Sequence, residues 1–78
     1  MTVLEKLIES AEVIWGGTPG IAMLRMTRPT LDEFIADMEK GLDRNKDISA
    51  ENKVEIREAL KGPEFREYIE RRFSRYLA

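Results

Sequence analysis

The 78-residue chain contains neither cysteine nor histidine. Without cysteine it can form neither disulfides nor thiolate-bound zinc sites, the two usual staples of small folds. Without histidine it lacks the commonest metal ligand and the one side chain that ordinarily titrates near neutral pH. The remaining carboxylates, hydroxyls and basic groups come together at no recognisable catalytic spacing. We therefore predict no metal site, no cofactor and no enzymatic activity.

Long apolar runs are missing as well. No stretch approaches the length of a membrane span, and residues 1–15 lack the basic start and continuous apolar core of a signal peptide. We therefore expect a cytoplasmic protein with no membrane partner. Charged residues make up 36% of the chain and apolar residues 42%, a balance that favours a folded domain over a disordered tail.

The length predicts a single helical domain over residues 1–78. A chain of this size buries only about 60% of the surface that its unfolded form exposes, so its core is small. Because neither a disulfide nor a metal can add stability, a partner protein or a second copy of the chain would supply further burial. We therefore expect the chain to bind another protein or to form a homo-oligomer.

Apolar residues recur at steps of three and four in four segments, a pattern typical of amphipathic helices that bury one face. We predict an all-α fold, a small compact antiparallel bundle of three main helices and a shorter one. The predicted buried stripes are Leu4, Leu7, Ile8, Ala11, Ile14 and Trp15; Leu31, Phe34, Ile35, Met38 and Leu42; Val54, Ile56, Ala59 and Leu60; and Phe65, Tyr68, Ile69, Phe73, Tyr76 and Leu77.

Polar residues mark the predicted helix starts. Thr2 and Thr30 are each followed three residues later by glutamate, the spacing of a capping box, in which two side chains satisfy free N–H groups of the first turn. Ser49 is the predicted cap of the third helix. The Gly62-Pro63 pair separates the third helix from the fourth, since glycine is favoured just past one helix and proline in the first turn of the next.

Glycines outside that pair lead to two further predictions. Gly16 and Gly17 are expected to end the first helix in the left-handed conformation that glycine tolerates. Gly41 lies on the apolar face of the second predicted helix, where glycine costs about 1 kcal/mol relative to alanine. We predict that another backbone segment packs closely against Gly41.

The segment from Trp15 to Arg28 differs from the rest of the chain, because its charged side chains are all cationic. In one interpretation it forms a short extra helix or an extended piece that closes the core, with its arginines paired to acids of the next helix. In the other, its methionines and Trp15 stay partly exposed as an adaptable contact for a protein with an acidic surface. The candidate partner-binding residues are Trp15, Ile21, Met23, Leu24, Arg25, Met26 and Arg28. We predict a small non-catalytic interaction or regulatory protein that binds another protein, or itself, through this segment.

A nucleic-acid-binding protein is one alternative. Basic and aromatic residues alternate in the last predicted helix, an arrangement that can bind single strands through phosphate contacts and stacking. The candidate residues are Arg71, Arg72 and Arg75. Because glutamates on the same helix would repel phosphate, we favour a protein partner over a nucleic acid.

Another alternative rests on the spacing of six residues, Thr30, Leu31, Asp32, Ile48, Glu51 and Ile56. In this spacing, and in length, acidity and helix number, the chain is similar to acyl carrier proteins, whose Asp-Ser-Leu motif holds the serine that carries a phosphopantetheine arm. Thr30 stands in place of the serine and Pro29 in place of the aspartate, so the resemblance implies a degenerate carrier domain. Helix capping accounts for Thr30 without a cofactor.

The segment from Asp43 to Ser49 resembles the opening of an EF-hand calcium loop, with oxygen-bearing side chains at alternate positions. The glycine of that motif is missing, and Val54 stands where the twelfth-position glutamate belongs. Arg44 and Lys46 also bring positive charge to the place of the cation. A polar link between two helices therefore explains the segment better than a calcium site.

Overall fold

The computed structural model describes residues 2–78, which are 82% helical and include no strand. It contains five α-helices and one 3-10 turn: α1 (Val3–Trp15), α2 (Thr18–Thr27), α3 (Leu31–Arg44), α4 (Ala50–Lys61), α5 (Pro63–Phe73) and the turn Ser74–Tyr76. The all-α class is confirmed. The helices number five rather than the predicted three to four, because the segment after the first glycines forms a helix of its own.

The predicted helix starts are confirmed at three positions. The Thr2 hydroxyl accepts a hydrogen bond from the Glu5 backbone N–H and the Glu5 carboxylate accepts one from the Thr2 backbone N–H, both at 3.1 Å. Thr30 and Glu33 form the same reciprocal pair at the start of α3. The backbone bond from Thr2 is the main cause that lowers the pKa of the Glu5 carboxyl. The Ser49 hydroxyl accepts from a backbone N–H at the start of α4.

The helix α2 begins and ends without a side-chain cap. Gly17 precedes it in extended conformation, and Pro19 occupies its first turn, where the missing N–H costs nothing. It ends at Arg28, whose φ of 41° and ψ of 62° place it in the left-handed region. This is the one non-glycine residue with positive φ among residues 2–78. A helix at this position agrees with the first of the two interpretations of the segment.

The predictions for Gly16 and Gly41 are wrong. Gly16 follows α1 with φ −75° and ψ −18°, ordinary right-handed geometry, so left-handed freedom is not what ends the helix. A Cβ built on Gly41 would meet no atom within 4 Å, so no backbone among residues 2–78 packs against it. The close approach occurs instead at Gly20 in α2, where a Cβ would collide with the backbone of Ile14 and Trp15 at the end of α1.

One cluster of buried side chains holds the helices together. Aromatic rings lie at its centre: the ring centroids of Trp15 and Phe34 are 4.5 Å apart, and those of Phe34 and Phe73 are 5.7 Å apart. The other buried members of the cluster are Leu7, Ala11, Leu24, Ile35, Leu60, Phe65, Ile69 and Leu77. Two residues of the predicted stripes are exposed instead, Ile14 at 55% and Val54 at 54%. The buried faces of α1 and α4 therefore include fewer residues than the apolar stripes predicted from the sequence.

The helices are arranged around α4 and α5. Both α1 and α3 pack on these two helices, yet no Cα atom of α1 (Val3–Trp15) lies within 8 Å of a Cα atom of α3 (Leu31–Arg44). At one end, the Trp15 and Phe34 rings bridge the two helices. Along the rest of their length a gap remains between them, with α4 beneath it.

The end of the described chain returns to the α2–α3 junction. The Ala78 backbone N–H donates to the Pro29 carbonyl oxygen at 2.9 Å. The Arg28 guanidinium donates to the Leu77 carbonyl oxygen at 3.3 Å, and the Leu77 side chain is buried in the core. The first two residues of the link that follows α2, Arg28 and Pro29, are therefore held by the C-terminal segment.

Candidate protein-interaction surface

The outward side of α2 carries an apolar stripe. Pro19, Ala22, Met23 and Met26 recur at steps of three and four, and all four are exposed. Met23 is 60% exposed and Met26 is 86% exposed. We call these four residues the α2 face. Because α2 has no acidic residue, the charges that this helix itself brings beside the face are positive, whereas Glu33 and Asp37 of α3 line the cavity next to Met23.

Three of the predicted partner-binding residues face inward to different degrees. Leu24 is 2% exposed and belongs to the core. Trp15 is half-buried against Phe34, and Ile21 is half-buried. These side chains fix α2 on the domain, so the contact surface predicted from the sequence reduces mainly to the methionines and the arginines.

The two arginines of the segment do not pair with acids of α3, so that part of the sequence interpretation is wrong. The Arg25 guanidinium carbon lies 5.4 Å from the centroid of the Tyr76 ring, a cation–π arrangement. The Arg28 guanidinium donates to the carbonyl oxygen of Leu77. Both residues are exposed, so both guanidinium groups lie at the surface of the domain beside the α2 face.

The gap between α1 and α3 forms a groove of about 610 Å³, which we call the α1–α3 groove. One wall is α1, the other is α3, and α4 with the preceding link supplies the floor. Its lining residues are Val3, Lys6, Leu7, Ser10, Ile14, Trp15, Asp37, Met38, Gly41, Leu42, Asn45, Asp47, Ile48, Asn52, Glu55, Ile56 and Leu60. Sequence reasoning missed this groove.

The α1–α3 groove combines apolar side chains with an acidic rim. Its charged residues are Asp37, Asp47 and Glu55, against Lys6 alone. All four are exposed. Gly41 contributes no side chain to the α3 wall, and the space beside it is open. The one trace of the groove in the sequence is this mid-helix glycine, which no contact within residues 2–78 explains.

A second cavity of about 260 Å³ adjoins the groove. It lies between α2 and α3 and is lined by Met23 from the α2 face. Trp15 and Asp37 line both this cavity and the α1–α3 groove. The α2 face and the groove are therefore neighbours on the surface of the domain, with Trp15 and Asp37 between them.

The arginines of the nucleic-acid alternative are not equivalent. The Arg72 Nε atom lies 2.9 Å from a carboxylate oxygen of Glu12, and its guanidinium carbon lies 5.0 Å from the Phe73 ring centroid. Hydrogen bonding to that carboxylate raises the pKa of Arg72. Arg71 and Arg75 are exposed. Arg72, the middle arginine of the predicted basic edge, thus contacts α1 through Glu12.

Glu12 receives a second hydrogen bond on the same side. The Tyr68 hydroxyl donates to a carboxylate oxygen of Glu12 at 2.5 Å. The bonds from Tyr68 and then Arg72 lower the pKa of the Glu12 carboxyl, while burial and the bond to Glu12 raise the pKa of Tyr68. This cluster joins α1 to α5, and its groups satisfy one another.

The segments behind the carrier and calcium resemblances have structural partners. The Thr30 hydroxyl accepts the capping bond from Glu33. In the link after α3, the Asn45 side chain accepts from the Asp47 backbone N–H at 2.8 Å, and the Asp43 carboxylate pairs with Arg57 of α4. Among residues 2–78, no three acidic, histidine or cysteine side chains are grouped so that they could hold a metal ion.

Comparison with family models, curated proteins and solved structures gives no match. None of the helices within residues 2–78 has both the length and the hydropathy needed to cross a membrane.

Proposed function

We propose that the protein is a small non-catalytic interaction or regulatory protein that binds another protein, or a second copy of itself, through the Trp15–Arg28 segment. The observation that carries this proposal is the exposure of Met23 and Met26 on one side of a helix that is otherwise well anchored. A cytoplasmic location remains part of the proposal.

The chemistry of this surface suits a protein partner. Methionine is flexible and polarisable, so it adapts to the shape of an apolar groove. Three- and four-residue spacing is the one by which an amphipathic helix presents anchors to such a groove. Arg25 and Arg28 flank the methionines and would orient the complex toward acidic groups of the partner. The expected partner therefore has an apolar depression with carboxylates at its rim.

Photocrosslinking from the α2 face tests the proposal. A benzophenone amino acid replaces Met26 in one variant and Val54 in a matched control, because Val54 is also exposed and apolar but lies on α4. We expect the Met26 variant to form a discrete adduct, with a second protein or with another copy of the chain, that the control does not form. Adding Met23→Asp to the Met26 variant should abolish that adduct. Equal crosslinking from both positions, or no loss with Met23→Asp, would contradict the proposed surface.

A further inference from the structure

We infer that the α1–α3 groove is the binding site for the α2 face of a second copy of this chain, so that two copies form a reciprocal two-fold dimer. This inference rests on the proposed function, because it identifies what the α2 face binds. It adds a receptor site, the groove, that lies outside the Trp15–Arg28 segment apart from Trp15.

The groove has the features of a helix-binding site. Its two walls, α1 and α3, do not contact each other along most of their length, and apolar side chains such as Leu42, Ile56 and Leu60 line the space between them. An amphipathic helix typically binds by laying its apolar side into a groove of this kind.

Gly41 supports the presence of a closely packed occupant. It lies in α3, where glycine destabilises a helix relative to alanine. In the described part of the chain nothing packs into the space left by the missing side chain, because a Cβ would meet only open space at the groove wall. A helix seated in the groove would approach α3 most closely where no side chain stands in the way. The position is therefore accounted for by a contact with another molecule.

Charge complementarity favours the second copy as the occupant. The groove rim carries Asp37, Asp47 and Glu55 against one lysine, so it favours a cationic ligand. The α2 helix is cationic and has no acidic residue, and it exposes an apolar stripe of the required spacing. Ligand and receptor features thus occur in the same chain.

The positions of the two surfaces favour a closed dimer. Met23 of the α2 face lines a cavity that shares Trp15 and Asp37 with the groove, so both surfaces lie on one side of the domain. When two complementary surfaces are neighbours, a two-fold axis between them lets each copy donate α2 and receive α2 at once. Two complementary surfaces on opposite sides would instead produce an open chain of copies.

Light scattering and sedimentation over a wide concentration range test the inference. The samples are the wild type, Met26→Asp, Gly41→Leu and the control Val54→Asp, each checked for helical content by circular dichroism. Because a Cβ at position 41 has open space around it, the Gly41→Leu variant should fold while its new side chain fills part of the groove. We expect dimers for the wild type and the control. For the other two variants we expect folded chains whose dimer dissociation constant rises about tenfold or more.

Mixing Met26→Asp with Gly41→Leu gives a sharper result. In the mixed dimer, the intact α2 face of the leucine variant enters the intact groove of the aspartate variant. Both substitutions then lie in the second contact of the mixed dimer. Because either substitution alone already weakens that contact, the other one adds little further loss. The mixture should therefore form a heterodimer tighter than either variant's homodimer. Failure of the mixture to associate better than its components would overturn the inference.

The remaining outcomes separate this inference from the proposed function. A wild type that is monomeric at every concentration, or a Gly41→Leu chain that dimerises like the wild type, would overturn the groove as receptor. In either case the proposed function would still stand if Met26 forms its specific crosslink to a different protein or to another surface of the chain. Loss of that crosslink specificity would overturn the proposed function itself.

Discussion

The Tyr68 hydroxyl of α5 donates a hydrogen bond of 2.5 Å to the carboxylate of Glu12 in α1, a residue 56 positions earlier in the chain. Arg72 bonds the same carboxylate at 2.9 Å. The first and fifth helices are therefore joined at the surface by a charge-assisted cluster, in addition to their packing in the core.

Replacement of Tyr68 by phenylalanine tests this cluster. The bond from Tyr68 is the main cause that lowers the pKa of Glu12. Because the folded-state pKa lies below the ordinary value of 4.5, the stabilisation is fully present above pH 4.5 and is lost as the pH falls through the folded-state value. We expect Tyr68→Phe to lower the free energy of unfolding by about 1 kcal/mol at pH 7. Its deficit relative to the wild type should shrink in acid, as measured by urea unfolding at several pH values.

We predict that alanine substitution has opposite effects on stability at two glycines. Gly20→Ala places a methyl group against the backbone of Ile14 and Trp15, so it should destabilise the fold by about 1–3 kcal/mol. Gly41→Ala meets open space in the interior of α3 and should stabilise the fold by about 1 kcal/mol. Denaturant unfolding at low protein concentration measures both. A destabilising Gly41→Ala would show that α3 does contact another part of the chain there.

At Arg28 we predict an unusual order of stability, in which glycine is the better substitute than alanine. Both Arg28→Ala and Arg28→Gly lose the hydrogen bond to the Leu77 carbonyl, but only glycine adopts a φ of 41° without strain. We expect the glycine variant to be more stable than the alanine variant by about 1 kcal/mol. At Arg25, inside α2, the order should be reversed, because glycine is the poorer residue within a helix. Thermal unfolding of the four variants would reveal an error if both positions gave the same order.

Arg71 and Arg72 are adjacent in sequence and should differ in their effect on stability. Arg72→Ala removes the contacts with Glu12 and the Phe73 ring, so we expect it to lower the free energy of unfolding more than Arg71→Ala does. Arg71→Ala alters an exposed side chain and should stay within about 0.5 kcal/mol of the wild type. Chemical denaturation compares them, and equal losses would count against a specific role for the Glu12 pair.

The same helix gives a test of the nucleic-acid alternative. All three arginines of the predicted basic edge are exposed, but Arg72 forms an ion pair with Glu12, which offsets its charge. We expect no strong, salt-dependent binding of a single-stranded oligonucleotide in a fluorescence titration. Tight binding that weakens with salt and is lost in Arg71→Glu would support the alternative instead.

The parts of the fold that depend on near neighbours in the chain could be predicted from the sequence. The capping boxes of Thr2 and Thr30 involve residues three apart, and they form as expected. The stripe of α3, with Phe34, Ile35 and Leu42 buried, also follows from local periodicity. For the segment after Gly17, local pattern left open a helix or an extended piece, since proline and glycine occur in its first turn.

The remaining features depend on how distant segments meet, which local pattern does not contain. Gly20 and Gly41 look alike in sequence, but one faces the end of α1 and the other faces an open groove. Ile14 fits the apolar stripe of its helix and yet lies beside the gap that α3 leaves unfilled. The sequence therefore singled out the α2 methionines, which the structure exposes, as candidate contact residues, while the groove beside them required the placement of α1 against α3.

The hydrogen bonds that join residues 28–29 to residues 77–78 have a consequence for how α2 binds any other molecule. Together with the buried Leu24, these bonds hold α2 in one place on the domain. Little backbone entropy would then be lost when a partner binds, because the helix is preorganised rather than folded on contact. Substitutions at Met23 and Met26 should accordingly change the lifetime of a complex more than the rate at which it forms.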